Sequence, residues 1–244
     1  MMELVYPPVV LAAKTMFKVL GLRIDIQGTE HIPTDGGAVI ACTHQSYLDF
    51  IFCGLGAQPA KRLVRFMAKK QVFDHRVSGP LMRGMRHIPV DRAAGKGAYD
   101  EAVDRLRSGE VVGVFPEATI SRSFTVKELK TGSVRMAADA GVPIVPMALW
   151  GTQRLWTKGR PRRLNQRGVP ISILAGAPFE GDAASVDGLT GQLRVRMQSL
   201  LDTVQAGYPD KPANDEARWW LPEHLGGTAP TPEQAAEMDG ERPE

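Results

Sequence analysis

The sequence predicts an α/β fold, a mixed, mostly parallel sheet flanked by helices. Two observations carry this. Short apolar runs such as Ala38–Cys42 and Val111–Phe115 alternate along the chain with longer segments of helical period that end at glycine. The composition, 43% apolar and 23% charged over 244 residues, is that of an ordinary globular protein long enough to bury a large core.

Taken in order, residues 9–21 read as a helix with Pro8 near its start and Gly21 at its end. Lys14 and Lys18 share one face, opposite an apolar band of Leu11, Met16, Val19 and Leu20. Both lysines interrupt the run, which is shorter than the ~20 apolar residues a bilayer-spanning helix takes. A basic n-region and a small-residue cleavage site are lacking, so a signal peptide is not expected. Two compatible readings stay open, a helix packed on the domain and an interfacial membrane helix.

Residues 22–26 have the alternation of a half-buried strand, and 36–42 that of a buried one. A helix is expected from Ser46 onward, a strand over 62–67, a short helix over 77–83 and a strand over 87–90. Residues 94–108 form a helix stopped by Gly109, and 111–115 a buried strand. A helix over 128–140 ends at Gly141. Strands over 144–150 and 170–175 and a long helix over 186–205 complete the set. No internal repeat is present. The chain thus divides into an N-terminal helix (1–21), a folded domain (22–207) and a tail (208–244). Pro, Gly, Glu and Ala dominate the tail, which is expected to be disordered from about Gly226. The group Trp219-Trp220-Leu221 either docks back or sits at a membrane interface.

Formal net charge is +3, unevenly spread. Basic residues concentrate between Lys61 and Arg92 and between Arg154 and Arg167, whereas residues 233–244 are acidic. Cys42 and Cys53 lie inside apolar runs and read as buried reduced thiols, so nothing argues for an oxidising compartment. A cytosolic location, or the cytosolic face of a membrane, follows.

The chemistry begins at Thr43-His44-Gln45-Ser46-Tyr47-Leu48-Asp49, between a strand exit and a helix start, where open α/β sheets place their ligand sites. Ser46 and Asp49 form an S-x-x-D capping box, which by itself explains the aspartate. In one continuous helix, positions 44 and 49 would point about 140° apart. With the helix starting at Ser46, Asp49 lies in the first turn and can reach back to His44. Capping and pairing are then compatible, and His44 becomes an oriented general base. Three further clusters follow: Ile88-Pro89-Val90-Asp91-Arg92, Phe115-Pro116-Glu117-Ala118-Thr119-Ile120-Ser121, and Gly141 to Ala148 with Pro146 at its centre.

In this order the clusters resemble the glycerolipid acyltransferase family typified by bacterial 1-acyl-glycerol-3-phosphate acyltransferases, over roughly Ile26 to Ala177. The resemblance implies that family's α/β sandwich. His44 and Asp49 match its H-x-x-x-x-D motif, and Arg92 the arginine of its second block, which contacts the acceptor's phosphate. Glu117 and Thr119 match the F-P-E-G-T-R-S block, whose glutamate helps hold the acceptor. Lys130 and Gly132 are similar to the lysine-x-glycine element and Pro146 to the proline-centred block. Two departures stand out. The usual glycine and arginine of the third block are Ala118 and Ile120, leaving Arg122 or Lys130 to meet a phosphate. In the second block Arg86 stands where glycine is usual.

By this resemblance, His44 polarised by Asp49 takes a proton from an acceptor hydroxyl, which attacks the carbonyl of an acyl thioester. Backbone N–H groups at the helix start after Ser46 are candidate oxyanion donors. No G-x-S-x-G elbow, phosphate loop or metal-ligand spacing is present, so direct transfer without cofactor or metal is expected. The implied partners are acyl-CoA or an acyl-carrier protein as donor and lysophosphatidate as acceptor. An anionic membrane surface would be met from the inner face of the plasma membrane. Alternatives are another lysophospholipid or glycolipid acceptor, a thioesterase using the same pair, and a non-catalytic binder. The basic segments read as a solvated face, a membrane contact or a site for donor phosphates. Trp150, Leu155 and Trp156 among Arg154, Lys158, Arg160, Arg162 and Arg163 suit a headgroup-level contact. Nucleic acid is not an expected partner.

Overall fold

The computed structural model describes residues 3–91, 97–180 and 185–240. Its strands are β1 (Arg23–Gln27), β2 (Ala38–Cys42), β3 (Val64–Lys69), β4 (Ile88–Val90), β5 (Val111–Val114), β6 (Pro143–Trp150), β7 (Pro170–Ala175) and β8 (Phe179–Glu180). Among the described residues they form one sheet in the order β1-β7-β6-β2-β5-β3-β4, with β8 also on β6. Strands β6, β2, β5, β3 and β4 run parallel; β7 and β8 are antiparallel to β6, and β1 is parallel to β7. The mixed, mostly parallel α/β sheet is therefore as the apolar runs indicate.

The helices are α1 (Tyr6–Val19), α2 (Asp49–Gly56), α3 (Lys70–Asp74), α4 (Ser78–Gly84), α5 (Gly97–Arg107), α6 (Gly132–Ala140), α7 (Val186–Ala206) and α8 (Pro232–Gly240). They cover both faces of the sheet, because side chains alternate along each strand. From β2, Val39 and Ala41 pack with Ala102, Leu106, Ala137 and Leu193 of α5, α6 and α7. Ala38, Ile40 and Cys42 turn the other way, onto Phe17 of α1 and Phe52 of α2. Burying an aliphatic or aromatic side chain is worth about 1.5–3 kcal/mol, so this two-faced packing fixes the central strands and their exits. Pro146, which cannot donate to a ladder, sits where pairing with β8 has ended at Ile144 and pairing with β7 begins at Met147.

Several expectations need correction. The helix expected from Ser46 starts at Asp49, and the one expected from Glu128 starts at Gly132. In both cases bonds to distant chain hold the segment ahead of the helix: Tyr47 N–H donates to Trp156 O, and Lys130 N–H to Pro116 O. Residues 94–96 of the expected third helix lie outside the described residues. Trp150 and Leu155, expected at a headgroup level, are core residues. The tail expected to be disordered is folded as far as Gly240. Trp219 and Trp220 are buried, and α8 opens with a T-x-x-Q capping box in which Gln234 N–H donates to Thr231 Oγ1 and Thr231 N–H to Gln234 Oε1. Both cysteines are free and buried.

Candidate active site

Register brings the site together. Ala41 of β2 lies opposite Val114 of β5, and Cys42 opposite Met147 of β6, so the β2 and β5 exits emerge side by side. Thr43 locks this exit to β6: its N–H donates to Met147 O, and its Oγ1 accepts from Leu149 N–H. The next residue is His44, whose ring stacks on Phe115 with centroids 4.2 Å apart.

Asp49 is fully buried and holds four hydrogen bonds. Oδ2 accepts from His44 Nδ1 at 3.1 Å, Gln45 N–H at 2.7 Å and Ser46 N–H at 2.6 Å. Oδ1 accepts from Thr152 Oγ1 at 2.6 Å. A carboxylate surrounded by donors is an acceptor only, so Nδ1 carries the proton, and His44 Nε2 has no hydrogen-bond partner among the described residues. The loop between them is pinned from across the sheet. Ser46 Oγ and Tyr47 N–H both donate to Trp156 O, while Thr157 Oγ1 donates to Gln45 O. The same bonds correct the oxyanion expectation. The N–H groups of residues 45–49 are all engaged within the protein, and Leu48 N–H donates to Ser46 Oγ.

Glu117 joins two loops. Its Oε1 accepts from His44 N–H at 2.8 Å and its Oε2 from Lys127 N–H at 3.1 Å. Complete burial pushes its pKa up to about 8, against the opposing pull of those two N–H donors. Beside it, three cationic side chains meet on the carboxylate of Asp239 on α8. Arg122 Nε donates to Asp239 at 3.0 Å, Lys127 Nζ at 2.8 Å and Lys158 Nζ at 2.5 Å, and Lys127 Nζ also reaches Thr119 Oγ1 at 2.7 Å. Ser121 N–H donates to His44 O at 2.7 Å, which keeps this cationic corner next to the histidine.

On the other side, the stack continues from Phe115 to Phe66, with planes 11° apart. Phe66 lines an apolar cavity of about 260 Å³ between α1, α2 and α4, walled also by Tyr6, Phe17, Phe50, Gly54 and Met82. His87 at its edge is held neutral: burial, with help from the nearby Arg65 charge, pulls its pKa down to about 4. His87 Nδ1 accepts from Phe66 N–H.

Of the residues singled out from the sequence, His44 and Asp49 pair, Arg122 bonds Asp239, and Thr119 is linked to that carboxylate through Lys127 Nζ. Glu117 is placed beneath the site, both oxygens engaged with backbone. Pro146 is buried within β6, its carbonyl accepting from Gly176 N–H. Lys130 is exposed and Gly132 opens α6. Arg92 lies outside the described residues. Ile120 is buried, so its side chain is part of the fold. The two residues standing where the family has glycine are left-handed: Ala118 at φ 61° and Arg86 at φ 58°. Glycine adopts that conformation without strain. Sequence reasoning missed Phe115 as a ring platform, Thr152, Lys127, Lys158 and Asp239. Only the Thr231–Gln234 capping box offered a signal, that the tail is structured.

A family model described as Acyltransferase matches residues 23–150, from the start of β1 to the end of β6. The 1-acyl-sn-glycerol-3-phosphate acyltransferase of Bacillus subtilis is 30% identical over 198 residues, 79% of this chain and 98% of that protein. A chloroplast 1-acyl-sn-glycerol-3-phosphate acyltransferase of Arabidopsis thaliana is 30% identical over 74% of this chain and 49% of its own length, so the chain spans about half of that relative. In fold, the chain is similar to the crystal structure of the 1-acyl-sn-glycerophosphate acyltransferase from Thermotoga maritima. The TM-score is 0.69 at 24% identity, over 84% of this chain and 81% of the other. The family model spans the segments that carry His44, Asp49 and Glu117, and the chain belongs to the acyltransferase family as an O-acyltransferase.

Proposed function

We propose that the enzyme transfers a fatty acyl group from an acyl thioester to the free hydroxyl of 1-acyl-glycerol-3-phosphate. The observation that carries this is His44 held by Nδ1 on a buried, four-fold bonded carboxylate, with no hydrogen-bond partner for Nε2 among the described residues. Nε2 takes the hydroxyl proton as the oxygen attacks the thioester carbonyl. The carbon–sulfur bond then breaks, and the proton leaves with the thiol. The products are one ester and one free thiol. Base assistance of this kind contributes ~10²–10⁴-fold.

The cavity beyond Phe66 is apolar and reached along the aromatic stack from His44, which suits the acyl chain. Arg92, Arg122 and Lys130 are the cations assigned to the acceptor's phosphate, and Thr119 is assigned to the same group. Glu117 and Gly132 act by placing those loops, and Pro146 by setting the β6 register beside Thr43. The donor is acyl-CoA or an acyl-carrier protein, and no cofactor or metal takes part. Membrane association rests on α1, which packs through Tyr6 and Phe17 while Leu11, Met16 and Val19 are exposed beside Lys14 and Lys18. Among the described residues no helix is long and apolar enough to cross a membrane. The enzyme would thus work peripherally on an anionic surface, on the cytosolic side.

The test is thiol release from palmitoyl-CoA with and without lysophosphatidate. Acceptor-dependent release that vanishes in His44→Ala is expected. Release that needs no acceptor would make the chain a thioesterase, and an active His44→Ala would refute the base.

A further inference from the structure

The corner made by Thr119, Arg122, Lys127 and Lys158 holds an anion already, and that anion belongs to the chain itself. Its three cations meet on one carboxylate, Asp239, near the end of α8. Little else fastens this helix. Ala235 is its one buried side chain among the described residues, and Met238 is exposed. The capping box shapes the nine-residue segment, but an isolated helix of that length is marginal in water. The helix is thus held chiefly by a charge contact, which another anion can replace, and only slightly by burial.

The corner also offers a donor that Asp239 leaves unused. Arg122 is buried, its Nε serves Asp239, and its Nη2 has no hydrogen-bond partner among the described residues. A carboxylate has two oxygens. A phosphate monoester brings three terminal oxygens and a charge of about −1.5 to −2 at neutral pH, so it can use the spare donor and attract the same cations more strongly. Position supports this ligand class. Ser121, next to Arg122, is hydrogen-bonded to the His44 carbonyl, and Glu117 ties the Lys127 backbone to the His44 backbone.

We infer that α8 is a built-in competitor of the acceptor: Asp239 occupies the anion corner of Thr119, Arg122, Lys127 and Lys158, and a phosphate monoester displaces it. This rests on the acyl transfer proposed above for the choice of acceptor. The free enzyme is then closed at its phosphate corner, and only an acceptor bearing a phosphate monoester opens it. A helix closed roughly nine-tenths of the time raises the apparent acceptor KM about tenfold and leaves kcat unchanged.

Two measurements on the full chain test the inference. The first is hydrogen exchange of residues 232–240 in the wild type with glycerol 3-phosphate added, and with glycerol alone as control. Faster exchange with the phosphate and no change with glycerol is expected; unchanged or slower exchange with the phosphate overturns the inference. The second is acceptor kinetics of Asp239→Asn, with Glu237→Gln on the same helix as control. A roughly tenfold fall in lysophosphatidate KM with kcat unchanged is expected for Asp239→Asn only. An unchanged or raised KM would mean that Asp239 merely neutralises the corner. If the wild type transfers nothing to lysophosphatidate, the proposed activity fails, and the exchange experiment still decides whether a phosphate monoester releases α8.

Discussion

Replacing Asp49 by asparagine separates what the carboxylate holds from what its charge does. Oδ2 faces three N–H donors, from His44, Gln45 and Ser46, and Oδ1 faces the Thr152 hydroxyl. An asparagine carbonyl fits the three-donor side, and its NH₂ then points at Thr152 Oγ1, which rotates to accept. The His44 tautomer is kept and only the charge is lost. Replacing a charged acceptor with a neutral one removes about 1–2 kcal/mol of hydrogen bonding. The attraction between unit charges near 4 Å is about 4 kcal/mol at an effective dielectric of 20. A kcat loss of roughly 10- to 1,000-fold follows, with an unfolding temperature close to wild type. Asp49→Ala differs in kind. It strands the Gln45 and Ser46 N–H groups in the interior at about 1–3 kcal/mol each, so the unfolding temperature falls and activity approaches that of His44→Ala. The assays are acceptor-dependent thiol release and thermal unfolding of both variants. Wild-type kcat in Asp49→Asn, or equal stability of the two variants, refutes this account of the cage.

Gly54 lines the apolar cavity, and a Cβ there would meet Tyr6 Oη at 3.5 Å, an ordinary contact. The further carbons of Gly54→Leu must enter the cavity, so kcat/KM for palmitoyl donors is expected to fall roughly tenfold relative to decanoyl donors; an unchanged ratio places the chain elsewhere. At Ala118 the left-handed backbone costs about 1–2 kcal/mol, offset in Ala118→Gly by about 0.4–1 kcal/mol of unfolded-chain entropy. A small rise in unfolding temperature is expected, and a fall contradicts it. Glu117 holds a proton in the folded chain from its ordinary 4.5 up to about 8, whereas the unfolded chain releases it near 4.5. The unfolded state therefore binds fewer protons over that window, and this contribution to stability is lost as pH rises through it. Glu117→Gln is expected to flatten the decline in unfolding temperature from pH 5 to 8; an unaltered slope would show that Glu117 stays ionised.

The fold was legible because each central strand is an unbroken apolar run, and packing on both faces demands such a run. The His44–Asp49 pair was legible because spacing and a helix start limit where the two can meet. What sequence could not supply were partners set by distant chain. Asp49 starts α2 because Gln45 and Ser46 donate to it and Trp156 and Thr157 hold the loop, more than 100 residues away. Glu117 shows only as a carboxylate at a strand end until the β2–β5 register puts His44 N–H beside it. The tail lacks large apolar residues after Leu225 except Met238, and composition reads that as disorder. It is ordered by Asp239 on cations 81 to 117 residues away, a contact with no local signature.

Glu117 also sets a rule for recombining this chain with its relatives. It joins the β2 exit to the loop after β5, though His44 and Glu117 are 73 residues apart. A chimera that takes its first half through β4 from one parent and the remainder from another inherits each side of that joint separately. The joint reforms only if the second parent supplies a side chain of glutamate's length. Aspartate is one methylene shorter and cannot reach both N–H groups at this spacing, so the histidine would keep its ties through Thr43, Asp49 and Ser121 but lose the one to the Lys127 loop. Crossover points before β2 or after Lys127 keep the joint within one parent.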